Sequence, residues 1–168
     1  MSAIYYFHDP SAPKPNKPAR AGAAVVIYAD GKILLGHRKD NYEWGVVTGD
    51  LHDDETFAAC AVRRTFSETG IVLKERQLQT LKLFDNPGRI VSFDDGNIYR
   101  MIHMGYFVEL FLIPETVCSD ASLELRFVDP ADLGCYTITA AHQEVLEEFL
   151  KRKGINASVS RTIWSTRS

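Results

Sequence analysis

The segment Gly49–Ile71, GDLHDDETFAACAVRRTFSETGI, constrains this chain more than any other. It carries the punctuation of one short helix: a glycine turn, an acidic approach loop and a closing glycine. The pattern predicts a helix over Glu55–Thr69. Asp53, Asp54 and Glu55 stand where a helix N-terminus favours negative charge. Gly70 follows the last turn, where a left-handed cap is usual. Arg64, Ser67 and Glu68 are spaced i, i+3, i+4 and share one face. Ala58, Ala61, Val62 and Thr65 lie mostly on another face. That face is small and apolar, which lets the helix lie close on a sheet.

The same residues resemble the Nudix box, G-x5-E-x7-R-E-U-x-E-E-x-G-U, where U is a bulky apolar residue. Gly49, Glu55, Arg63, Glu68, Gly70 and Ile71 match it at the right spacing without gaps. Three positions depart. Arg64 replaces the glutamate after the motif arginine, Thr65 the bulky apolar residue, and Ser67 the first glutamate of the closing pair. Upstream, Trp44-Gly45-Val46-Val47-Thr48-Gly49 looks like the family's W-x-L-P-G-G approach, with Val47 for Pro and Thr48 for the first Gly. The resemblance runs from roughly residue 20 to residue 150. It implies an α/β protein, a Nudix-type α/β/α sandwich with a mixed β-sheet and the box helix packed on the sheet. The arm and the ending, HDPSAPKPNKP and LELRFVDPADL, are also similar to small bacterial Nudix proteins of the ADP-ribose or nucleotide pyrophosphatase type.

Nudix enzymes hydrolyse nucleoside diphosphates linked to another moiety. A divalent metal held by box glutamates neutralises the diphosphate and orients water. The resemblance assigns metal binding to Glu68 and the Thr48 carbonyl, and catalysis to Glu68. It assigns Glu55 and Arg63 to support of the loop and helix. Arg for Glu at 64 and Ser for Glu at 67 change the local charge by about +3, and unit charges a few Å apart interact by about 1–4 kcal/mol. Mg2+ or Mn2+ is therefore expected to bind weakly, and only if the protein is active.

Two functions follow. The first is a nucleotide- or anion-binding module with weak or no hydrolase activity, in which Arg38 and Arg64 contact phosphate. The second is a divergent Nudix pyrophosphohydrolase cleaving ADP-ribose or another nucleoside diphosphate derivative. Loss of two acids from one face favours the first. Asp50, His52, Asp53, Asp54, Asp85, Asp94, Asp95 and Glu124 are candidates to replace the missing glutamates. Their first reading is as turn and N-cap residues. His103, on an apolar strand, reads as a satisfied core histidine.

The rest of the chain frames this segment. Residues 1–20 hold Pro10, Pro13, Pro15 and Pro18 and read as an extended arm. Its aromatics, Tyr5, Tyr6 and Phe7, serve as an anchor, a dimer contact or an edge of the pocket. The Nudix domain is expected over residues 21–153. Ala21–Tyr28 is a strand buried on both faces. Asp30-Gly31 is a hairpin turn into Lys32–His37. Trp44–Val47, Leu78–Phe84, Tyr99–Phe111 and Leu123–Val128 read as strands. Asp85–Gly88, Asp94–Asn97 and Asp129–Leu133 read as turns. Ala140–Lys153 has helical periodicity and a basic end before Gly154. Residues 154–168 form a polar tail in which Trp164 suggests a docking contact.

Charge and cysteine content exclude some classes. A net charge of −3 argues against general affinity for nucleic acid or acidic membranes. No run approaches membrane-spanning length, and MSAIYYFHDP lacks the features of a signal peptide. Cys60, Cys118 and Cys135 form no C-x-x-C pair and read as reduced, small core residues of a cytoplasmic protein. The implied partner is a nucleotide or ADP-ribose-like small molecule. A homodimer is the oligomer that the resemblance suggests.

Overall fold

The computed structural model describes residues 2–159. Its strands are β1 (Ala3–Tyr6), β2 (Arg20–Ala29), β3 (Lys32–Arg38), β4 (Trp44–Gly45), β5 (Val47–Asp50), β6 (Gln79–Phe84), β7 (Ile90–Phe93), β8 (Ile98–Leu110) and β9 (Ser122–Val128). Helix α1 spans Phe57–Thr69 and helix α2 spans Ala140–Lys153. Strands β2 and β8 form the spine and run parallel, with Arg20 opposite Met101 and Ala29 opposite Leu110. The other pairings are antiparallel, so the sheet is mixed.

Period-two alternation in β2 explains the layers. Ala23, Val25 and Ile27 enter a core with Cys60 and Ala61 of α1 and with Tyr106 and Val108 of β8. Ala24 and Val26 enter a second core with Val145, Leu146, Phe149 and Leu150 of α2. One helix covers each face, giving the α/β/α sandwich. The β2–β3 turn has Asp30 and Gly31 both at positive φ, 47° and 74°. That is the geometry of a two-residue hairpin matched to strand twist.

Helix α1 begins at Phe57, two residues after the expected Glu55. The Thr56 hydroxyl accepts from the Ala59 N–H at 3.1 Å and caps the helix. Asp53, Asp54 and Glu55 therefore precede the first turn rather than occupy it. Gly70 closes the helix at φ 74°, its N–H bonded to the Phe66 carbonyl.

Several sequence expectations change. Ala3–Tyr6 of the arm is a strand, paired with Ile90–Phe93, and Arg20 belongs to β2. Between the two expected turns lies β7, paired on one edge with this arm strand and on the other with the start of β8 across the Asp94–Asn97 turn. The single strand Trp44–Val47 breaks in two, and Gly49 lies in β5 opposite Ala23 rather than in a loop. The Asp129–Leu133 turn is part of a 3-10 helix over Pro130–Cys135. Of the cysteines, Cys60 alone is buried; Cys118 and Cys135 are exposed thiols. Ala157 packs on the α2-side core and Val159 is buried there, so the chain after Asn156 is at first docked. Trp164 lies outside the described residues. Among the described residues no helix is long and apolar enough to cross a membrane.

Candidate functional site

A cleft of about 410 Å³ opens where β5 meets the α1 face that carries Arg64 and Glu68. Its size suits a small ligand. Arg20, Arg38, Arg63 and Arg64 line it, against only Asp50 and Glu68 of opposite sign. Each of the four is paired with a carboxylate, of Asp50, Asp40, Glu55 and Glu68 respectively, so the cleft is rich in guanidinium donors whose charge is balanced from behind.

Two ion pairs build its wall. Glu55 holds Arg63 through a fork: Nε donates to Oε2 at 3.0 Å and a terminal nitrogen to Oε1 at 2.6 Å. Arg63 also donates to the Asp50 carbonyl at 2.8 Å, and Glu55 accepts from the His52 N–H at 2.9 Å. This brace ties the approach loop to α1. Hydrogen bonds from Arg63 and then from the His52 amide hold the Glu55 carboxyl down at about 2.

The second pair is Arg64 with Glu68, 2.6 Å apart at i, i+4. The Arg64 stem lies flat on Gly49. A Cβ added at Gly49 would sit 2.0 Å from Arg64 Nε and 2.4 Å from its Cγ. Glycine is needed here so that a side chain can lie against the strand. From this position Arg64 Nε also points at the Thr48 carbonyl, at a long 3.4 Å. One guanidinium thus faces both groups that the box resemblance assigns to a metal. Burial raises the Glu68 carboxyl above its ordinary value, and Arg64 and then Arg38 oppose that rise.

The donor set does not fit a divalent cation. Magnesium needs several oxygen ligands, usually including carboxylates. Glu68 is the one acid on the box face, and Arg64 engages it. Among the described residues no three His, Cys, Asp or Glu side chains converge into a metal-sized group.

The other candidates are dispersed. Ser67 is exposed, donating to the Arg64 carbonyl at 3.2 Å, and lies outside the cleft. Asp50 pairs with Arg20 at 3.3 Å. His52 lines the cleft, while Asp53 and Asp54 are exposed turn residues. Asp94 accepts from the Ser2 N–H, and Asp95 bonds Asn97 within its own turn. Asp85 is exposed and lends its carbonyl to Arg100. Glu124 pairs with Arg126, away from the cleft.

Arg38 lines the cleft, but its fork is already filled. It donates to Asp40 at 3.0 and 2.8 Å and to the Tyr5 hydroxyl at 2.9 Å. Tyr5 in turn donates to Asp40 at 2.8 Å. Although burial opposes it, Arg38 holds the Asp40 carboxyl below its ordinary value. Sequence reading missed Arg20, Asp40, Arg89 and His142. No local pattern marks them; they reach the cleft region through β1–β7 pairing, the β2–β8 register and the docking of α2.

The NUDIX domain family model matches residues 18–149. No curated protein matches the chain. Among solved structures, it is similar to a MutT/nudix family protein from Enterococcus faecalis, with TM-score 0.67 and 19% identity over 84% of this chain and 64% of that one. It is similar also to the NUDIX domain of NrtR from Shewanella oneidensis, crystallised with ADP ribose, with TM-score 0.66 and 17% identity over 87% and 94%. A third is a bifunctional NMN adenylyltransferase/ADP ribose pyrophosphatase from Francisella tularensis, complexed with AMP and a manganese ion. There the TM-score is 0.65 and identity 23%, over 83% of this chain and 43% of that one. The chain thus spans under two thirds of the first protein and under half of the third. At these identities the likeness establishes the fold.

Proposed function

Since the chain belongs to the Nudix family, we propose that it is a nucleotide- or anion-binding module of that family with weak or no hydrolase activity. Arg64 takes the place that a divalent cation holds in metal-dependent relatives. The observation that carries this reading is the guanidinium facing both the Glu68 carboxylate and the Thr48 carbonyl, on the wall of a cleft lined by four arginines. Guanidinium groups match phosphate oxygens bidentately, and Arg64 keeps donors beyond those spent on Glu68. The ligand is a nucleotide or an ADP-ribose-like small molecule. Its phosphates lie along Arg64 and Arg20, since Arg38 is closed off by Asp40 and Tyr5.

The test is titration calorimetry of the full chain with inorganic pyrophosphate and ADP-ribose, in chelator and then in magnesium. Binding should persist in chelator. Arg64→Met should weaken it about tenfold or more, the worth of one charge-assisted hydrogen bond. Turnover that requires magnesium or manganese and disappears in Glu68→Gln would instead establish the divergent pyrophosphohydrolase. The double variant Arg64→Glu, Ser67→Glu should exchange anion affinity for magnesium affinity. A cytoplasmic setting suits the three free thiols, and sedimentation of the full chain tests for a homodimer.

A further inference from the structure

Strand β9 stands at one edge of the sheet. On its inner side it pairs with β3, Ile33 opposite Val128 and His37 opposite Glu124. Among the described residues no strand pairs with its outer side. Alternation along a strand fixes where each main-chain group points. The Arg38 N–H donates to the Glu43 carbonyl, on the β4 side of β3, at 2.7 Å. The hairpin pairs Ala29 of β2 with Lys32 of β3. The even-numbered residues of β3 thus face β2 and β4, and Ile33, Leu35 and His37 face β9. Their partners Val128, Arg126 and Glu124 are spent on β3. The N–H and C=O groups of Leu123, Leu125 and Phe127 point outwards, and among the described residues nothing bonds them.

Proteins commonly blunt such an edge with proline or lysine, a bulge or a covering loop. Strand β9, SLELRFV, carries neither proline nor lysine, and its one register irregularity lies at its Ser122 end. Leu125 and Phe127 turn to the α1-side core. Leu123 is on the same face, outside that core, and is half exposed. On the opposite face Glu124 accepts from Arg126 at 2.9 and 3.0 Å, and both side chains are nearly half exposed. Arg126 is held in place: its guanidinium lies 5.0 Å from the Trp44 ring centroid and donates to the Tyr136 hydroxyl at 3.2 Å.

We infer that a second copy of the chain pairs with this edge, β9 against β9 and antiparallel, about a two-fold axis at Leu125. This rests on the homodimer reading and supplies its interface; it is independent of what the cleft binds. In that register Leu125 meets its own counterpart, Leu123 meets the partner's Phe127 and Glu124 meets the partner's Arg126. The outward groups of the three odd-numbered residues face one another and form about six main-chain hydrogen bonds. The half-exposed Leu123 is covered by an aromatic ring. Charge selects the register: a two-fold axis at Glu124 or at Arg126 would set like charges opposite each other, which destabilises a strand pair. A two-fold contact must be self-complementary, and Leu-Glu-Leu-Arg-Phe is so about its centre.

The test is sedimentation velocity of the full chain from about 1 to about 300 µM, since so short an interface dissociates on dilution. A monomer–dimer equilibrium is expected. Arg126→Glu sets like charges opposite each other and should weaken association about tenfold. The charge swap Glu124→Arg, Arg126→Glu is self-complementary again and should restore it. Leu123→Pro removes an outward N–H that β3 does not use, and should also weaken the dimer. Amide hydrogen exchange of the unmodified chain gives a readout free of any variant. On raising the concentration the amides of Leu123, Leu125 and Phe127 should slow, while those of Glu124 and Arg126 should not change. If a variant fails to fold, that pattern decides. A monomer at every concentration overturns the homodimer and the edge pairing together. A dimer with unchanged exchange at the three odd-numbered residues overturns the edge pairing alone, as does one that Arg126→Glu and Leu123→Pro leave intact. A charge swap that folds and fails to restore the dimer overturns the register.

Discussion

Replacing Arg64 with methionine removes the guanidinium and keeps an apolar stem over Gly49. In the wild type the group donates to Glu68 at 2.6 Å and reaches the Thr48 carbonyl at 3.4 Å. The two side chains are 27% and 16% exposed. Exposed i, i+4 pairs contribute about 0.3–0.5 kcal/mol, and hydrogen bonds to charged groups about 1.5–3 kcal/mol. A partly exposed pair lies between, so the loss should be about 1–2 kcal/mol at pH 7.5. For a domain of this length that lowers Tm by about 2–8 °C. The pH dependence has a definite sign. Burial already raises the Glu68 carboxyl, with Arg64 the largest opposing influence, so removing Arg64 raises it further. A carboxyl with a raised folded-state pKa destabilises the fold above that pKa, where it must be charged. Once protonated it stops doing so. The Tm deficit of Arg64→Met should therefore be largest at pH 7.5 and shrink towards pH 5. Fluorescence melts of both proteins across that range measure it. A deficit that is absent at pH 7.5, or the same at every pH, refutes the argument.

Three further outcomes are expected. Gly49→Ala should evict Arg64, since its Cβ would lie 2.0 Å from Nε. Its loss of pyrophosphate affinity should match that of Arg64→Met, and the two should not add, which calorimetry on the double variant checks. Thr56→Ala removes the α1 cap and should cost about 1 kcal/mol, read as a Tm drop of about 2–4 °C. The Glu55 carboxyl, held at about 2 by Arg63, should return towards the ordinary carboxylate range in Arg63→Ala. Because that pKa is depressed, the brace stabilises above the unfolded value and is lost only as pH falls towards 2. Carbon-13 NMR titration of the side chain reads the shift directly.

The sequence by itself determined the elements whose cause is local. The two-sided apolar run of β2 declared a strand buried on both faces, and Asp30-Gly31 declared its hairpin. The spacing from Gly49 to Gly70 announced α1, its stop and the Glu55–Arg63 brace, because helix faces and left-handed caps are set within a few residues. The conflict at position 64 was also legible, since a cation stood where the motif has an acid. Only the tertiary structure decided what that arginine does. Its contact with the Thr48 carbonyl depends on β5 pairing with β2 and on a glycine that leaves room for the stem. The closing of Arg38 by Tyr5 and Asp40 required a short arm strand to find β7, a pairing without a local signature. The histidines of the cleft lay furthest from the sequence. The Nδ1 atom of His142 meets the Val46 N–H, 96 residues away in the chain, and that of His103 meets the Arg89 guanidinium. Periodicity reports which face a residue occupies. Which hydrogen-bond partners meet it there depends on strand register and helix docking across the whole chain.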